Sequence, residues 1–165
     1  MGASFIAYCK MKKMTSMDYA MVRVIGSCLY GKMKVTDMGY NTVHVIKSCL
    51  LKMLDSVKGT SYADRFENLA EKSHRRATED MAKEWNQFAS DLSEDCRDSE
   101  LYGIYLFVDH SGCDGTFSGD DCREIATSLR KLLDSDIDLS YVDCAIENLY
   151  DVFNEVDSDG LVVIC

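Results

Sequence analysis

Proline is absent from all 165 residues. Its absence removes the commonest helix breaker and suits long helices. No apolar run approaches the ~20 residues that span a bilayer. Residues 1–14 hold no apolar stretch of the kind that heads a secretory signal. Gly2 follows Met1, but Ile6 stands where the myristoylation pattern wants Ser or Thr. The expectation is a cytoplasmic protein with no membrane partner, in the host cell's cytoplasm if a phage encodes it. No P-loop, dinucleotide fingerprint or Ser-His-Asp set is recognisable either, so the commonest cofactor and hydrolase classes find no motif here. No cofactor is expected, and a non-catalytic role is favoured over an enzyme.

What is present is an ordinary globular mixture, with 47% apolar and 28% charged residues. The length fits a single domain over 1–165 with a real core. Eight cysteines occur: Cys9, Cys28, Cys49, Cys96, Cys113, Cys122, Cys144 and Cys165. With ample core and no export signal, free thiols are expected. Four of them, Cys28, Cys49, Cys122 and Cys144, fall on apolar faces of predicted helices, where a thiol packs as a small hydrophobe.

The net charge of −10 is unevenly spread. Residues 1–58 carry 9 Lys/Arg against 3 Asp/Glu, and residues 59–165 carry 9 against 25. The acidic part repels phosphate backbones, so direct nucleic-acid binding is disfavoured there and a basic protein surface is the expected partner. Asp134, Asp136 and Asp138, at a helix end and its following loop, are the candidate contacts. The plain alternative is a set of solvated helix faces.

Apolar periodicity predicts mainly α structure. Helices are expected at about 16–30, 42–57, 61–92 (one long helix or two meeting), 120–133 and 141–156. The apolar run 101–108 suits a buried strand or helix, and its helical neighbours favour helix. Ser118/Asp121 and Ser140/Asp143 have capping-box spacing, as does Thr15/Asp18. Residues 32–40 read as a polar loop. Residues 3–9 and 161–164 read as strands that pair, since an unpaired apolar strand exposes its backbone groups. The expected architecture is therefore a compact bundle of about five to six helices with a small two-stranded ribbon formed by the N- and C-terminal segments.

The most unusual segment is His110-Ser111-Gly112-Cys113-Asp114-Gly115, leading to Cys122. As a calcium loop with Gly115 at position 6, it puts His110 at 1 and Gly112 at 3, which removes half of the side-chain oxygens, leaving Asp114 and Asp121. A second near-match, Glu155, Asp157 and Asp159 before Gly160, has no position 12. As a zinc site, His110, Cys113 and Cys122 offer three ligands where structural zinc takes four; Cys96 or His74 would have to complete the set. The candidate metal ligands are thus His110, Cys113, Asp114 and Cys122. A manganese phosphoesterase motif of the Asp-His-His family is excluded, because Gly112 replaces its first aspartate and no Asp-His-His sequence exists. A Cys113 nucleophile helped by His110 is a third reading. A tight turn followed by a Ser118-capped helix is the simplest.

The start Met-Gly-Ala-Ser-Phe, the stretch Phe-Val-Asp-His-Ser-Gly-Cys-Asp-Gly with Cys122 eight residues beyond Asp114, and the apolar end resemble a group of small bacterial and phage proteins. That group reads His-Ser-Asp-Cys-Asp-Gly and has no assigned activity; this chain departs from it at Gly112. The resemblance implies a microbial or viral cytoplasmic origin and no chemistry. The remaining features read as structural: His74-Arg75-Arg76 as a solvated basic turn, His44 as a surface or satisfied core residue, and Trp85 as core. The leading expectation is a protein-interaction module, such as a small regulator or inhibitor. The alternative is a zinc- or calcium-binding protein using residues 109–122, with a small Cys/His hydrolase third.

Overall fold

The computed structural model describes residues 2–11, 22–25, 28–110 and 114–165. Within them lie five strands and six helices. In chain order they are β1 (Gly2–Lys10), β2 (Val22–Ile25), β3 (Cys28–Gly39), α1 (Tyr40–Lys58), α2 (Tyr62–Arg75), α3 (Glu79–Cys96), α4 (Tyr102–Asp109), β4 (Gly115–Ser118), α5 (Gly119–Leu133), α6 (Asp143–Asn154) and β5 (Leu161–Ile164). The strands form one antiparallel sheet in the order β2-β3-β1-β5-β4.

This corrects the expected helical bundle with a two-stranded ribbon: the protein is mixed α/β. The expected pairing of the chain's two ends is present, with Phe5 opposite Ile164 and Tyr8 opposite Leu161, but at the centre of a wider sheet. Three segments supply the additional strands. Residues 22–25 and 28–30 are extended where the spacing predicted a helix over 16–30; the remainder of that helix, and its Thr15/Asp18 cap, lie outside the described residues. The apolar residues that satisfy a period of 3.6 include Val24 and Ile25, whose β-branched side chains favour strand. The predicted polar loop is the second half of β3. Its polarity is that of a strand with a solvated side, since Met33 and Val35 are exposed and Met38 is buried. The glycine-rich loop also yields a strand, β4, paired with β5.

The helices cover one face of the sheet. Ala3, Phe5 and Ala7 of β1, with Phe117, Val162 and Ile164, share that face and a single core with residues of all six helices. Phe5, Phe107, Phe117 and Phe153 pack ring to ring at its centre, 5.3–6.3 Å between centroids. The opposite face carries a smaller cluster of Tyr8, Leu161 and Val163, flanked by Ile6 and Tyr30. No described helix is long and apolar enough to cross a membrane.

Most helices follow the sequence signals. α1 ends at Gly59, which takes the left-handed conformation (φ 68°). The 61–92 region is two helices, and Thr78 caps the second through Met81 N–H. Residues 102–109 are helical. Ser118 caps α5 by accepting from Asp121 N–H at 3.2 Å. The Ser140/Asp143 cap does not form. Asp138 instead accepts from Ser140 N–H at 3.1 Å, and α6 begins after Val142.

Candidate functional site

The loop around His110 is the first candidate, and its described part is packed rather than open. The His110 ring lies 4.1 Å from the Phe117 ring, centroid to centroid. The ring also lies against Gly115, whose φ is +130° and where a Cβ would collide with the imidazole. The His110 carbonyl, at the C-terminal end of α4, accepts from Lys47 Nζ at 2.7 Å. A cation there complements the helix terminus. Cys122 is fully buried on α5, and its thiol donates to the Phe117 carbonyl at 3.7 Å. Burial pushes that thiol up to about 12, far from the thiolate that binds metal. Asp114 is exposed just before β4, and Asp121 is half-buried in the first turn of α5. Cys113 lies outside the described residues. Among the described residues no three His, Cys, Asp or Glu side chains converge on a point where a cation could sit. The second calcium-like segment forms a turn in which Asp157 accepts from Asp159 N–H at 3.1 Å and leads into β5.

The seven described cysteines are free thiols. Cys49, Cys96 and Cys122 are buried, whereas Cys144 is exposed and Cys28 half-exposed, so only two of the four cysteines expected on apolar faces are core residues. Cys96, pushed by burial to about 11, is a third core thiol that periodicity did not mark.

The second candidate is the acidic surface. Asp134, Asp136 and Asp138 are all exposed, but they are not equivalent. Asp134 is held by Arg130, whose Nη2 and Nε donate to its two oxygens at 2.8 and 3.2 Å. Asp138 is engaged with Ser140, whose N–H and hydroxyl hold its carboxyl below the usual range. Asp136 makes no ion pair among the described residues. This loop runs into α6, which has no Lys or Arg. Asp143, Glu147 and Asp151 recur at i, i+4 and i+8 along its solvent face. Tyr141, between loop and helix, is 94% exposed.

The third candidate was not visible in the sequence. A pocket of about 300 Å³ opens between α1, α2, α3 and α4. Phe66, Trp85, Phe88 and Leu92 form its apolar walls, and Lys47 and Asp109 line it from α1 and α4. Trp85 stands edge-on to Phe66 and Phe88, 5.9 and 5.8 Å between centroids, and its indole N–H donates to Ser73 Oγ at 2.9 Å. His44 stacks on Phe66 at 4.8 Å and meets the Glu67 carboxylate at 3.0 Å, so it is a satisfied surface residue. His74 and Arg76 are exposed at the end of α2, where Arg75 pairs with Glu71 at 2.7 Å. The pocket's residues are separated by up to two helices in sequence, and no local spacing announces them.

Fold and surface together define a mixed α/β domain with helices on one side of an antiparallel sheet and a cation-free acidic helix at the surface. Comparison with protein-family models, with curated proteins and with solved structures gives no match.

Proposed function

We propose that the chain is a non-catalytic interaction module that docks the basic surface of a partner protein through the loop 134–140 and α6. The observation that supports this reading is the exposed row of Asp143, Glu147 and Asp151 on α6, preceded in the loop by exposed Asp136 and Tyr141. Like charges at i, i+4 cost a few tenths of a kcal/mol each in an isolated helix. A helix that keeps three in a row, with no basic residue of its own, favours an external cation-rich surface over self-sufficiency. A fully exposed tyrosine amid charges suits an interface anchor, since buried aromatics carry much of the energy of association. Charges around it accelerate encounter and set specificity.

The test is affinity purification from the native host with mass spectrometry, comparing wild-type bait with a D143K/E147K/D151K bait. The expected result is a basic protein retained by the first and lost by the second. For the isolated pair, association slows as salt rises while dissociation changes little. A salt-independent on-rate, or nucleic acid as the captured species, overturns the reading. Reversal at Asp136 alone is expected to weaken binding more than reversal at Asp134, whose charge is already engaged by Arg130.

A further inference from the structure

We draw no further inference here: the strongest candidate, the pocket between α1, α2, α3 and α4 walled by Phe66, Trp85, Phe88 and Leu92, carries nothing, because Lys47 at its rim already donates to the His110 carbonyl, Asp109 is exposed and already bonded to the Tyr105 phenol, and nothing in the structure shows what covers the apolar walls that remain.

Discussion

Gly115 meets two constraints that ordinarily occur apart: a backbone angle disfavoured for L side chains, and an imidazole packed where a Cβ would stand. Gly59 meets only the first, with open space around it. Gly59→Ala should therefore cost about 1 kcal/mol and Gly115→Ala more, on the order of 2–3 kcal/mol, in urea denaturation. In a His110→Ala background the Gly115→Ala penalty should shrink toward that of Gly59; an unchanged penalty would show that the ring contact contributes nothing. The buried thiols make a second prediction. Cys96 and Cys122 are raised by burial from 9.0 to about 11 and about 12. The folded state thus keeps protons that the unfolded state releases, so stability is full below about pH 9 and falls as pH climbs toward 11–12. The slope is at most about 1.4 kcal/mol per pH unit for each thiol. Replacing both by alanine should flatten the alkaline limb while lowering stability at neutral pH through lost packing. In the native protein, Cys144 and Cys165 should react with a thiol reagent well before these two.

At the level of elements, the helix periods were legible because each depends on neighbours within one or two turns. Apart from Val57 and Cys144, which are exposed, the apolar faces of α1, α5 and α6 and the Ser118 cap fall where the spacing puts them. The start of α2 was not legible in the same way. Its N-cap Ser61 makes no side-chain bond, and the role passes to Asp55 in the last turn of α1. The Asp55 carboxylate accepts from Tyr62 N–H at 2.8 Å, Ala63 N–H at 2.9 Å and Thr60 Oγ1 at 2.6 Å. One side chain thereby fixes the α1–α2 turn and neutralises the exposed amides of α2. Asp55→Ala should cost about 2–3 kcal/mol, more than the ~1 kcal/mol expected of Ser118→Ala at an ordinary cap. Equal losses in thermal or urea unfolding would mean that the extra bonds add nothing. For α6, Glu147→Lys turns two repulsive i, i+4 pairs into attractive ones and should raise stability by about 0.3–1 kcal/mol at low salt. A loss there would mean that the carboxylates serve the helix itself.

Across the whole molecule, the sheet was the part that sequence concealed. Pairing partners such as Ala3 and Met38, or Val24 and Leu29, are set by tertiary register, and short apolar runs satisfy both periods until that register is known. The same holds for the pocket, whose polar rim joins Lys47 to Asp109 only after four helices have packed. The sign of the charge did translate into three dimensions. The basic segment 1–58 supplies β1, β2, β3 and α1, while every later helix comes from the acidic remainder. The position of β5 between β1 and β4 has a consequence in time. A ribosome delivers β1 first among the described strands and β5 last of them, so β1 keeps one edge bare until β5 emerges, while the other is already occupied by β3. During that interval Phe5 and Ala7 lack the strand that shields them, and β4 has no sheet to join. Closure of so distant a pairing is the kind of step that sets a slow folding rate. Dependence on a holding chaperone should accordingly persist until residues 161–164 have cleared the exit tunnel.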